Sequence, residues 1–197
     1  MPSAITHAVV GACAGVAVSN GTTPKRLWAF SILCAVLPDA DVITFLFGIR
    51  YEDLFGHRGF FHSIIFALFA ALFLVWLFFR KSQTTTFLSQ GSYYLYFSTL
   101  ILLHGVLDAF TNGGEGVAFL APFSNERIFF DFTPIEVSPV NLLLFFQEHR
   151  ASLILSTELV WVWAPMFAAA LLVRLLIFIY RRRPTLKRVA YQEAPRD

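Results

Sequence analysis

Apolar residues run in long blocks along the chain, separated by short polar stretches, and the blocks set the expected elements. Ile5 to Ser19 is rich in Ala, Gly and Val, carries His7 near its start, and is shorter than the roughly 20 residues of a full span. Gly11 and Gly15 have a spacing that lets a second helix approach closely. Asn20 to Pro24 reads as a turn. Leu27 to Ile49 is long enough to cross a membrane, but Pro38-Asp39-Ala40-Asp41 interrupts it. Two aspartates at the centre of a span would cost about 5–7 kcal/mol if they faced lipid. Pro38 also removes a backbone donor. A helix broken or kinked at Pro38, with its carboxylates turned to a polar cavity, meets both conditions.

Arg50 to Gly56 makes a polar loop, and Phe60 to Phe79 is the clearest span, closed by Arg80-Lys81. After a connector from Ser82 to Gln90, Tyr93 to Phe110 forms the next span, with His104 and Asp108 in its last turns. Thr111 to Arg150 is the longest non-span region. Within it, Ile128 to Phe132 reads either as a short strand or as an apolar loop on the membrane, and Leu142 to Phe146 can dip into the interface. Leu153 to Tyr180 is the last span, with Glu158 near its start and Arg174 near its end, where a long side chain can snorkel. The expected fold is an all-α polytopic helix bundle of four to five spans. One membrane-embedded domain covers residues 1–180, and a frayed, basic cytoplasmic tail covers 181–197.

Composition strengthens the membrane reading. The 197 residues are 57% hydrophobic and 14% charged, with mean hydropathy +0.65, against about 45–50% apolar and about 25% charged in soluble domains. The net charge of +2 is concentrated in Lys25-Arg26, Arg80-Lys81 and Arg181 to Arg183. That pattern marks cytoplasmic flanks of spans and is no nucleic-acid footprint. Cys13 and Cys34 lie singly in apolar runs, so no disulfide framework is implied. Met1 to Ala4 lacks the basic n-region of a signal peptide, so this segment is expected to stay in the mature chain.

Placing the basic clusters on the cytoplasmic side separates each from the next by two crossings and leaves the C-terminus inside. The polar residues then gather at the opposite face. His7 starts the first run, and Asp39 and Asp41 lie past the midpoint of the second. His57 and His62 open the third, His104 and Asp108 end the fourth, and Glu158 begins the fifth. Ionisable groups within spans are costly and mark sites. His104 and Asp108 are i and i+4, neighbours on one helical face, while Asp39 and Asp41 flank a kink from which both can turn to one centre. Imidazole with carboxylate suits zinc, manganese or iron, and the lack of thiolate argues against an iron–sulfur or cysteine-zinc site. The ligand number allows two ions sharing a carboxylate and activating water.

Blander alternatives stand beside each residue. His7 can be interfacial, His57 a loop residue, and the aspartates can pair with Arg58. His104 and Asp108 can simply hydrogen-bond one another, and Glu158 can be interfacial.

The motifs resemble those of the LexA-regulated, membrane-bound metal-dependent hydrolases, small bacterial inner-membrane proteins. The matching elements are Thr6-His7, Leu37-Pro38-Asp39-Ala40-Asp41, His57-Arg58-Gly59-Phe60-Phe61-His62-Ser63 and His104-Gly105-Val106-Leu107-Asp108, together with Thr111 to Gly116 and Pro122-Phe123-Ser124. The resemblance covers roughly Met1 to Arg174 and implies a metal-dependent hydrolase distantly similar to zinc-dependent phospholipase C. It maps His7, Asp39, Asp41, His57, His62, His104, Asp108 and Glu158 to metal-binding or catalytic positions, Glu158 without a local motif.

The expected activity is hydrolysis of a phosphoester such as a phospholipid headgroup linkage, at the extracytoplasmic side of the inner membrane. One or two divalent ions, zinc foremost, would assist. Asp108 or Glu158 is expected as base or as an orienter of a histidine, and Arg58, or else Arg127, as a partner for phosphate. A metal or ion transporter is the competing class, and a structural protein with a metal staple is a third.

Overall fold

The computed structural model describes residues 1–19, 25–79, 90–147 and 149–192, with side chains described to residue 180 and that of residue 142 left out. The expected turn at 20–24, the Arg80-Lys81 cluster and the connector to residue 89 lie outside the described residues, as do residues 193–197.

Helices account for every named element. Helix α1 is Ala4–Val18, and Ser3 caps it by accepting from the Thr6 backbone N–H. Such a cap satisfies one of the orphan donors of a helix's first turn. Helix α2 is Lys25–Val36; at Leu37 it tightens into a 3-10 run, Leu37–Phe47, with Pro38 in its first turn. The proline sits where its missing N–H costs little, so the expected break takes the form of a change of helix type. Gly48 ends the run at φ 76°, donating to Phe45.

A short 3-10 turn, Phe60–His62, precedes α3, Ile64–Leu74, which Ser63 caps by accepting from Phe66. A π turn, Val75–Phe79, prolongs α3. The helical part of the expected third span therefore begins four residues later than the apolar run, because Ser63 supplies the cap. Helix α4 is Gln90–Ala109, α5 the single turn Leu142–Phe145, and α6 Arg150–Glu158. A π turn, Leu159–Trp163, joins α6 to α7, Ala164–Gln192. The basic stretch after Tyr180, expected as a frayed tail, is helical in α7 to Gln192. Ile128 to Phe132 is no strand: Ile128 makes an isolated bridge to Val117, and the rest is irregular.

Small residues set how closely the helices pack. A Cβ on Gly11 would stand 2.5 Å from the Ser31 carbonyl oxygen, so α1 and α2 touch backbone to backbone there. Ala67 and Ala71 of α3 are fully buried beside Phe97 and Ile101 of α4, in a core that also holds Leu27, Cys34, Phe79 and Tyr93. Outside this core the surface is apolar: Phe69, Phe73, Trp76, Leu95, Leu171 and Leu175 are all exposed. Contiguous apolar surface of this extent fits a lipid environment better than water. Lys25–Phe47 and Arg150–Tyr180 are long and apolar enough to cross a membrane; Ala4–Val18 and Ile64–Phe79 are apolar but shorter.

The antiparallel succession sorts polar groups to two ends. Arg26 lies over the Phe79 ring at 5.0 Å, joining the start of α2 to the end of α3. Arg174 donates to the Ser19 carbonyl beyond the end of α1; the guanidinium thus serves as a helix C-cap partner, where free snorkelling was the expectation. The opposite end holds the start of α1, the end of α2, the start of α3 and the end of α4.

Candidate metal centre

Four segments bring the ligands together at that second end. The 3-10 run carries Asp39 and Asp41, and helical φ/ψ at about 120° per residue points residues two apart in different directions. The two carboxylates therefore do not turn to one centre as expected. Asp39 Oδ1 lies 3.3 Å from His104 Nε2 and 4.0 Å from His62 Nε2. Asp41 lies 2.7 Å from His57 Nδ1 through one oxygen and 3.1 Å from His62 Nδ1 through the other.

The loop bearing His57 and Arg58 turns so tightly that glycine is required twice. A Cβ on Gly56 would overlap the Arg50 and Tyr51 carbonyl oxygens, and one on Gly59 would overlap that of Leu54. Between them Arg58 holds φ 62°, a conformation few non-glycine residues adopt. Its backbone N–H donates to Asp41 Oδ2 at 3.1 Å. From α4, His104 and Asp108 face the same space, and His62 Nε2 lies 3.4 Å from Asp108 Oδ2. His7, one turn into α1, stacks on His104 with centroids 3.7 Å apart and brings Nε2 within 3.3 Å of Asp108 Oδ1.

Two ligand sets result: Asp39, His62, His104 and Asp108, and Asp41, His57 and His62, with the ligand atoms of each set all within 4.8 Å of one another. They share His62, not a carboxylate, so the expected carboxylate bridge between two ions is absent from these sets. All these side chains are buried, and Asp39, at 7% exposure, is the least enclosed.

The atoms of the first set suit a divalent cation. The Ala35 carbonyl can only accept, and it lies 2.7 Å from His104 Nδ1; a neutral His104 therefore carries its proton there and offers a lone pair at Nε2. Asp41 Oδ2 stands 3.1 Å from His62 Nδ1 without a well-formed hydrogen bond, and as the nearer carboxylate it favours the His62 proton at Nδ1 in a neutral ring. The two Nε2 atoms then stand 3.1 Å apart, lone pair facing lone pair, which a bound cation relieves. Neither oxygen of Asp39 or of Asp108 takes part in a well-formed hydrogen bond, nor do His7 Nε2, His62 Nδ1 and Arg58 Nε. Buried polar atoms are rarely left so. With neutral imidazoles, the three buried aspartates against the buried Arg58 guanidinium leave a formal charge of −2, which one divalent ion would cancel.

The family model for the YdjM inner membrane proteins matches residues 1–183. The chain belongs to that family. Inner membrane protein YbcI of Escherichia coli (strain K12) is 39% identical over 168 residues, covering 84% of this chain and 92% of the relative. No solved structure matches the chain at a significant level. Both matches are to inner membrane proteins, which supports the inner membrane as the location of this family member.

Three residues expected at the site do other work. Arg58 is fully buried and donates to the Gly113 carbonyl and Thr111 Oγ1, each at 3.0 Å, with Nε 3.2 Å from Asp108 Oδ2. It braces Asp108, and its donors are turned inward, away from any phosphate outside. Burial lowers its pKa from the ordinary value while Asp108 acts to raise it; a guanidinium stays charged regardless. Arg127 is likewise committed, donating to the carbonyl oxygens of His57 and Tyr51 at 2.9 and 2.8 Å. Burial pushes the pKa of the Tyr51 phenol up, with Asp108 adding to the shift, so Tyr51 stays a neutral donor.

Glu158 departs furthest from expectation. Its carboxylate accepts from the Ser3 backbone N–H, from Ser3 Oγ at 2.8 Å and from Thr6 Oγ1 at 2.7 Å. Thr6 Oγ1 in turn accepts from Trp163 Nε1 at 2.6 Å. Glu158 thus fastens the α6–α7 rod to the first turn of α1 and belongs to neither ligand set. The sequence reading missed Ser3 and Trp163 altogether. It also missed the bracing by Thr111, which sits one turn after Asp108 and whose Oγ1 donates to the Asp108 carbonyl at 2.7 Å.

Proposed function

We propose that this protein is a membrane-embedded, metal-dependent hydrolase of phosphoesters, with a mononuclear centre held by Asp39, His62, His104 and Asp108. The observation that carries the reading is the pair of opposed His62 and His104 Nε2 atoms among unpartnered buried carboxylates. The hydrolase chemistry itself comes from the motif resemblance. Zinc is the first candidate, with manganese or iron also suited to imidazole and carboxylate. The ion would polarise a phosphoryl oxygen and lower the pKa of bound water.

Residues of the chain divide the remaining tasks. Asp41, held by His57 and the Arg58 N–H, orients His62, as carboxylates behind metal-bound histidines do. Arg58 fixes Asp108, and His7 packs over His104. Asp39 directs Oδ1 to the histidines, which leaves Oδ2 to take a proton from the attacking water. Water adds to phosphorus, the ester P–O bond breaks, and the proton passes from Asp39 to the leaving alkoxide. Four to five crossings, with the basic clusters inside, would set the centre at the extracytoplasmic side.

The rival class, a metal transporter, expects ligands spaced across the bilayer; the described histidine and aspartate ligands gather at one end. The test is turnover of phospholipids by detergent-purified protein with zinc or manganese added, beside Asp39→Ala. Metal-dependent turnover absent from Asp39→Ala supports the reading. Stoichiometric metal without turnover, together with metal uptake into proteoliposomes, would overturn it.

A further inference from the structure

The substrate's route can be read from the surface around the least enclosed ligand. Asp39 lines a cavity of about 390 Å³, within the range of about 300–1,000 Å³ typical of ligand sites. Its other lining is apolar: Leu33, Val36 and Leu37 from α2 and the 3-10 run, Met1 and Ala4 from the chain start, and Val140. A water-soluble phosphoester would gain nothing from such walls. Both Asp39 oxygens lack a hydrogen-bond partner although the residue is more than nine-tenths buried, so the one charged side chain among the described lining residues is also an unsatisfied one.

Leu33 and Leu37 are shared with a second cavity, of about 530 Å³, which runs beside Phe60 and Phe66 along α3 to Phe73 and Phe78 and, among the described residues, has no ionisable side chain in its lining. Phe66 to Phe78 is roughly 18 Å of helix, longer than one leaflet's half of the roughly 30 Å hydrocarbon core. The two grooves therefore lie on either side of a Leu33–Leu37 ridge, one of them ending at a metal ligand. Both open near Ile43, Leu46, Phe69 and Phe73, which are exposed and apolar, as residues against lipid would be.

We propose that the ligand is a diacyl phospholipid entering sideways from the bilayer, its acyl chains in the two grooves and its phosphate head beside Asp39. This rests on the hydrolase reading for its chemistry but not for its geometry. Acyl chains supply burial of apolar area, and the head meets the cluster without leaving the membrane. Specificity then lies in Ala40, which lines the first groove, and Ala70, which lines the second. Larger side chains there would take up the space of a chain without touching a ligand atom.

The probe is a phosphatidylethanolamine with a diazirine in its acyl chain, photo-crosslinked to the full-length protein in vesicles. Wild type is compared with Ala40→Trp and Ala70→Trp, and the labelled peptides are mapped. The expected result is label concentrated on the peptides bearing Leu33–Leu37, Phe66–Phe73 and Val140. Each substitution should lower label in its own groove about tenfold, the scale of 1.4 kcal/mol, with metal content unchanged. Label spread evenly over the exposed faces of α3 and α7, and indifferent to both substitutions, would overturn the proposal. Metal content is measured on the same samples. Groove label without any bound metal would support the lipid site while overturning the hydrolase reading, so the two failures are separable.

Discussion

Two buried acidic centres lie within a turn of α1 of one another, and they are built oppositely. Around Glu158, hydroxyl and amide donors meet the carboxylate on both oxygens. Around Asp39 and Asp108, none of the four oxygens accepts a well-formed hydrogen bond, although Arg58 Nε stands 3.2 Å from Asp108 Oδ2, and neutral imidazoles at His62 and His104 would present lone pairs to each other. Thr6 and His7 are adjacent in sequence, yet one serves the first centre and the other faces the second. A satisfied buried carboxylate holds helices together; an unsatisfied group of them, stabilised by its surroundings but short of positive charge, is a site awaiting a ligand.

Substitutions can break that contrast, beginning with the largest effect. His104→Ala or Asp108→Asn should lower metal affinity by more than about 100-fold, beyond the 10–100-fold typical of residues that only orient ligands; isothermal titration with zinc reads this. Asp41→Asn, which loosens His62 without removing a ligand of the first set, should fall within that 10–100-fold range. Because imidazole must be neutral to bind metal, occupancy should also decline as pH falls. Chelation should lower the melting temperature of the wild type by roughly 5–10 °C, taking about 2.7 kcal/mol of ligand stabilisation at a hundredfold excess over Kd. His104→Ala should be indifferent to the chelator in the same thermal scan. Smallest is Glu158→Gln: loss of charge-assisted bonds should cost about 1–3 kcal/mol of stability and leave zinc affinity within about twofold of wild type.

The sequence allowed some of this contrast to be read and hid the rest. Apolar runs and basic clusters were enough to bring His7, Asp39, His62, His104 and Asp108 to one end, because each successive helix reverses direction. What stayed hidden depends on angles and partners finer than a run of hydropathy. A kinked α-helix and a 3-10 run read alike around Pro38, and in either winding residues two apart point in different directions. Asp39 therefore meets His104 while Asp41 meets His57, and they approach opposite nitrogens of His62. Arg58 looked like a phosphate partner, but at φ 62° its side chain turns into the protein towards Asp108 and Thr111. Glu158 could not be told from a ligand, since Ser3 and Thr6 meet it only through tertiary packing across more than 150 positions, with Trp163 bonded to Thr6 in turn.

The most direct measurement is metal content by elemental analysis of detergent-purified protein, with His104→Ala and Glu158→Gln in parallel. The account predicts about one divalent ion per chain in the wild type, from the ligand charge balance. That ion should be retained in Glu158→Gln and lost in His104→Ala. No metal in the wild type after reconstitution with zinc, manganese and iron, or equal loss in both variants, would contradict the distinction between the two centres.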